Sequence, residues 1–98
     1  MKEFSVAEFC EAIMSVDDNA RFVISYHAAN DCLGFYTNVK KESIEAEVTN
    51  KNKFTIISND NQSFFTEIKA DKIEYNEYED EYAIWCGEKD PTIYISVN

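Results

Sequence analysis

Few residues in this sequence have types that could do nucleophilic or metal chemistry. There is one histidine, His27, and there are three cysteines, at positions 10, 32 and 86. A Cys–His nucleophile pair also needs a group that orients the histidine, and zinc sites need close ligand spacing such as CxxC. The wide cysteine spacing fits neither pattern. We therefore predict no enzyme, no metal site and no cofactor, and we interpret the cysteines as reduced thiols of a cytoplasmic protein.

Carboxylates are the abundant reactive groups, and they concentrate in one region. The chain of 98 residues has 19 acids against 9 bases, for a formal charge of −10. Eight acids but only two bases lie between positions 70 and 90. An EF-hand calcium loop is not predicted there, because its Asp/Asn pattern followed by glycine is absent. Paired carboxylates for hydrolysis would need a cleft, which a small sheet with two glycines is not expected to form.

The densest acidic segment is IEYNEYEDEYAIW, residues 73–85, called the acid–aromatic tract below. It has five acids, three tyrosines and a tryptophan, and no base. If the chain is extended here, Glu77, Glu79 and Glu81 share one face at ~6.6–7 Å spacing, near the phosphate separation along one nucleic-acid strand. Tyr and Trp are enriched at binding hot spots and can stack on arginine. The tract predicts a surface for a basic partner; the alternative is a hairpin tip with solvated acids and tyrosines packed at its edge.

The predicted partner-binding residues are the charged and aromatic ones at the centre of the tract. They are Glu74, Glu77, Tyr78, Glu79, Asp80, Glu81 and Tyr82. The negative charge argues against direct binding to nucleic acid or to an anionic membrane, because both need Lys and Arg. The sequence has no apolar run of about 18 residues, and its start, MKEFSVAEF, does not have the pattern of a signal peptide. We expect a soluble protein of the cytoplasm, and this expectation includes the cytoplasm of a host cell.

The elements that must position the tract follow from the apolar periodicity. Ser5 begins S-V-A-E, a capping box, and apolar residues at helical spacing follow it. From Phe22 onward the period changes to two, with short turns rich in Asn and Asp. Two glycines and one proline leave no linker, so residues 1–98 are predicted to be a single domain. The predicted class is α+β: an N-terminal helix packed on a mostly antiparallel sheet of about six or seven strands in a meander, which is either an open curved sheet or a small barrel.

The tract itself is predicted to contain a turn. Ile73 and Tyr75 share one sequence parity, whereas Tyr82 and Ile84 share the other. One continuous strand would therefore place half of these apolar residues on the wrong face. A turn or bulge at residues 76–80 resolves the conflict and makes that segment the exposed piece between two strands.

The segment EYEDE at residues 77–81, followed by a turn and by TIYI at residues 92–95, resembles the acidic tract of a family of small anti-CRISPR proteins. The resemblance covers these five acidic-tract residues and a general likeness in size, charge and fold class. It implies a DNA mimic that fills the PAM-reading site of a type II CRISPR effector nuclease, with residues 77–81 as the binding segment. The chain is similar, in the same general way, to small acidic immunity proteins that block basic nuclease toxins.

Together these features predict an acidic inhibitory interaction protein, encoded by a phage or another mobile element. Its carboxylates would occupy the Lys and Arg of a basic protein that handles nucleic acid. Two alternatives stay open: an immunity protein against a basic nuclease toxin, and a self-associating Sm-like or SH3-like binding domain without an inhibitory role. In the second alternative, residues 93–97 are expected to form an edge strand that pairs between copies, in a homodimer or a ring.

Overall fold

The computed structural model describes residues 2–27, 33–58 and 63–98. In chain order the elements are β1 (Lys2–Phe4), α1 (Val6–Met14), β2 (Arg21–His27), β3 (Leu33–Lys40), β4 (Ile44–Asn50), β5 (Lys53–Ser58), β6 (Ser63–Lys69), β7 (Lys72–Asn76), β8 (Glu81–Trp85) and β9 (Ile93–Val97). A short 3₁₀ turn, Lys41–Ser43, joins β3 to β4.

The described strands form two antiparallel sheets, one of six strands and one of three. The order in the larger sheet is β1-β7-β8-β9-β2-β3, and in the smaller sheet it is β4-β5-β6. The predicted α+β class with a helix packed on antiparallel sheet is therefore confirmed. The single meander of six or seven strands is wrong, because nine described strands divide between two sheets. The small barrel is also wrong, because the larger sheet is open, with β1 and β3 at its edges.

Two further strand predictions need correction. The helix is not the first element, since β1 precedes it and pairs with β7 from Lys2↔Tyr75 to Phe4↔Ile73. Strand β9 is not an edge, because β8 and β2 occupy its two sides. Its backbone groups are already paired within the sheet, so residues 93–97 cannot pair with a second copy in the predicted way.

Local signals explain helix α1. Glu8 N donates to Ser5 Oγ at 3.1 Å, and Ser5 N donates to Glu8 Oε1 at 2.8 Å, so the predicted capping box is confirmed. These hydrogen bonds satisfy two amides that the first helical turn leaves free. The backbone bond to Ser5 is also the largest cause that lowers the pKa of Glu8. The buried side of the helix, which includes Phe9 and Ile13, then packs on the sheets.

The helix and both sheets share one core. The Phe9 ring lies 5.2 Å from Phe54 of the small sheet and 5.3 Å from Tyr82 of the large sheet, both in edge-to-face geometry. Side chains alternate along each strand, so the inner face of the large sheet carries buried residues such as Ile84 and Ile95. The other face of the large sheet, called the outer face below, carries the alternate positions. These include Glu74 of β7, Ala83 of β8 and Tyr94 of β9, all half-buried.

Candidate interaction surface at the β7–β8 hairpin

The acid–aromatic tract folds into a hairpin. Strands β7 and β8 pair from Lys72↔Trp85 to Asn76↔Glu81, and residues 77–80 form the turn between them. Residues opposite each other in an antiparallel pair share a face. Tyr75 and Tyr82 are such a pair, which is why the apolar parity changes across the turn. The predicted turn at residues 76–80 is confirmed.

Internal hydrogen bonds fix the shape of the turn. Tyr78 N donates to Asn76 Oδ1 at 3.0 Å, a side-chain turn typical of asparagine. Asp80 adopts a left-handed backbone conformation with φ 50°, which Asp and Asn tolerate better than most residues. The Asp80 carbonyl accepts from Val97 N at 2.9 Å, and this bond ties the turn to β9. The tip is thus held by the sheet beneath it.

The Asp80 side chain is engaged within the fold as well. Tyr75 OH donates to Asp80 Oδ1 at 2.8 Å. This hydrogen bond is the largest cause that raises the pKa of Tyr75 to about 12, and desolvation adds to it. The bond stabilises the protonated phenol, because an ionised Tyr75 would lose its donor hydrogen and face the carboxylate with like charge. Asp80 therefore shapes the tip in addition to contributing charge.

The predicted binding residues fall into an exposed group and a half-buried group. Glu77, Tyr78, Glu79 and Asp80 are exposed at the tip, and Tyr78 has a relative exposure of 92%. Glu74 and Glu81 are half-buried on the outer face. Each of the latter two meets a neighbour: Glu74 Oε1 lies 3.4 Å from Lys72 Nζ, and Glu81 Oε2 accepts from Ser96 Oγ at 3.0 Å.

One prediction about this surface is wrong. Tyr82 is only 5% exposed and packs against Phe4, Phe9 and Tyr75, with ring centroids 5.6, 5.3 and 4.7 Å away. Its ring belongs to the core, so it cannot anchor a partner. The even row of carboxylates that an extended chain would present from position 77 to position 81 does not form, because residues 77–80 form the predicted turn.

The sequence prediction missed a depression on the outer face beside the hairpin. In the sheet register, Ala83 lies between Glu74 on one side and Tyr94 on the other. The small alanine leaves a hollow of about 290 Å³ among these larger neighbours, which Glu81 and Trp85 also line. Tyr94 lies eleven positions after Ala83 in the sequence, and it reaches the hollow because β9 pairs with β8 in the sheet.

Among the described residues, those considered for nucleophilic chemistry lie in different parts of the fold. His27 is on the outer face, with its ring 5.4 Å from that of Tyr94. Cys10 is buried in the core, and burial raises its pKa to about 11. Cys86 is half-buried, with desolvation as the main cause of its raised pKa, and Cys32 is outside the described residues. Within the described ranges, no group of three or more His, Cys, Asp or Glu is placed to hold a metal ion.

This chain matches no model of a protein family, no curated protein and no solved structure. Among the helices in the described part of the chain, none is both long and apolar enough to cross a membrane. The geometry and charge of the hairpin are the features of this chain that bear on its function.

Proposed function

We propose that this protein is an acidic inhibitor, encoded by a phage or another mobile element, that acts in the cytoplasm of the host. It binds a basic protein that handles nucleic acid, such as a CRISPR effector nuclease, with the tip of the β7–β8 hairpin. The carboxylates of the tip take the place of nucleic-acid phosphates on Lys and Arg of that partner. The observation that carries the proposal is the side chain of Tyr78, which is 92% exposed between two exposed glutamates.

The exposure of Tyr78 supports a binding role. Tyrosine is enriched among the residues that dominate binding energy, since its ring is large and its hydroxyl tolerates water. Here the ring stands on a turn that is already held by hydrogen bonds to Asn76, Tyr75 and Val97. A turn ordered before binding loses less conformational entropy when a partner docks on it.

The charge distribution supports a basic partner. Between positions 70 and 90 the chain has eight acids and two bases, and Glu77 and Glu79 are exposed on either side of Tyr78. Complementary charge steers encounter and raises the association rate, and salt weakens the effect. The same field repels free nucleic acid, so the proposed partner is the protein and not its nucleic-acid ligand.

A capture experiment with matched variants tests the proposal. The test variant is Glu77→Lys/Glu79→Lys, which leaves Asp80 and its hydrogen bonds in place. The control is Glu45→Lys/Glu47→Lys, which makes the same charge change at two exposed positions of β4 in the small sheet. Each immobilised protein is exposed to purified CRISPR effector nucleases and to basic nuclease toxins.

We expect the control to retain its partner and the test variant to lose it. Equal capture by wild type and both variants would remove the tip from the account. Equal loss in both variants would show that net charge, and not this hairpin, drives the interaction. Capture of a toxin nuclease instead of a CRISPR effector would assign the protein to the immunity class.

A further inference from the structure

The hollow over Ala83 combines aromatic walls with carboxylates. Trp85 and Tyr94 supply the aromatic surface, and Glu74 and Glu81 supply the charge. All four side chains are half-buried, so they are partly desolvated and still reachable from solvent. Aromatic rings beside carboxylates suit a cation that has a flat apolar face. The ring stacks on that face, and the carboxylate pairs with the positive charge.

A lysine of the chain already shows that this part of the outer face attracts cations. Lys72 Nζ lies 4.8 Å from the centroid of the Trp85 ring and 3.4 Å from Glu74 Oε1. Glu3 stands directly opposite Glu74 in the sheet register, and like charges opposite each other in a sheet are destabilising. One lysine does not balance these two glutamates and Glu81, so a further cation is favoured here.

We propose that the hollow over Ala83 binds an arginine side chain of a protein partner. Arginine fits better than lysine because its planar guanidinium stacks on an aromatic ring and donates two parallel hydrogen bonds to a carboxylate. A carboxylate has about four acceptor sites, and Glu74 and Glu81 each use one contact within the chain. Free acceptor capacity therefore remains in both groups.

The inference rests on the proposed function for the kind of partner, a basic protein, but it concerns a different surface. The tip and the hollow lie on one hairpin, and Glu81 is at the end of the turn that carries the tip. A partner docked on the tip would therefore have its neighbouring basic residues close to the hollow. The tip supplies the exposed anchor, and the hollow adds selectivity for arginine.

Fluorescence measures this binding directly, since Trp85 is the only tryptophan in the sequence. The full chain is titrated at low salt with a short Gly/Ser peptide that carries arginine. Parallel titrations use the same peptide with lysine, or with citrulline, which keeps the shape of arginine without its charge. We expect a saturable change with the arginine peptide, weaker binding of the lysine peptide, and no saturation with citrulline.

Two variants locate the site, and a third is the matched control. Ala83→Leu fills the floor of the hollow from the outer face, and Glu74→Gln/Glu81→Gln removes both carboxylates. Each should weaken binding of the arginine peptide about fivefold or more, as expected for the loss of a partly exposed ion pair or stacking contact. Glu45→Gln/Glu47→Gln removes the same charge from β4 and should leave binding unchanged.

The results that would overturn the inference are specific. The first is equal affinity for the lysine and arginine peptides. The second is a loss of affinity for the arginine peptide in the β4 control as large as in the two site variants. The third is unchanged affinity in Ala83→Leu when its circular dichroism spectrum is that of the native fold. The peptide titration involves no partner protein, so it is independent of the capture experiment on the tip. If the peptide titration fails but capture depends on the tip, the arginine site in the hollow is wrong and the tip stands. If the titration succeeds but capture does not depend on the tip, only the role of the tip is wrong.

Discussion

Asp80 is the residue on which the shape of the hairpin tip most depends. It combines a left-handed backbone, with φ 50°, and a carboxylate that accepts from Tyr75 OH at 2.8 Å. Three substitutions separate these two contributions. Asn keeps an acceptor and tolerates the backbone, Gly keeps only the backbone freedom, and Ala keeps neither.

The expected losses of unfolding free energy follow from these roles. The hydrogen bond is at an exposed site, so its removal costs about 1 kcal/mol. Forcing alanine into the left-handed region costs about 1 kcal/mol more. Asp80→Ala should therefore lose about 2 kcal/mol and Asp80→Gly about 1 kcal/mol, whereas Asp80→Asn should lose about 0.5 kcal/mol or less. For a domain of this size, 2 kcal/mol corresponds to a fall in Tm of roughly 10 °C.

Urea denaturation followed by circular dichroism gives these free energies, and NMR titration gives the pKa of Tyr75. In Asp80→Ala the pKa of Tyr75 should fall from about 12 towards its ordinary value, because the largest cause of its increase is gone. Equal stability of the Asn and Ala variants would refute the argument. An unchanged pKa of Tyr75 in Asp80→Ala would refute the assigned hydrogen bond.

Further predictions concern the rest of the hairpin and the helix. The stability that Tyr75 OH provides should be fully present below about pH 10 and be lost as pH rises through its folded pKa of about 12; a pH-independent difference in unfolding free energy between wild type and Tyr75→Phe would contradict this. Ser5→Ala removes the helix cap and should cost about 1 kcal/mol in urea denaturation, and no loss would argue against the capping box. Tyr82→Ala should cost about 4 kcal/mol because the ring is in the core, whereas Tyr78→Ala should change stability by about 0.5 kcal/mol or less; similar costs for both would contradict their assigned burial.

Features with local causes were predictable from the sequence. The capping box needs only Ser5 and Glu8, three positions apart, and the structure forms both of its hydrogen bonds. The turn in the tract followed from the parity change between Tyr75 and Tyr82, because opposite residues of a hairpin share a face. The same parity places Tyr82 with the buried Ile84, so the burial of Tyr82 was also predictable from the sequence.

Features set by distant pairing were not predictable. Strand β1 has three residues directly before the helix cap, and it becomes a strand only because β7 pairs with it. The division into two sheets depends on which strands become neighbours, and short alternating segments do not encode that order. The hollow over Ala83 has the same origin, since β9 brings Tyr94 beside a residue eleven positions earlier in the chain.

Displacement of nucleic acid from a basic partner protein tests whether the hairpin tip replaces nucleic-acid phosphates. Labelled DNA is bound to a CRISPR effector nuclease, and its fluorescence anisotropy is followed as this protein is added at several salt concentrations. We expect wild type and Glu45→Lys/Glu47→Lys to release the DNA, Glu77→Lys/Glu79→Lys not to release it, and added salt to weaken the effect. DNA that stays bound with wild type, or is released equally by the tip variant, would contradict the claim that the hairpin tip replaces nucleic-acid phosphates.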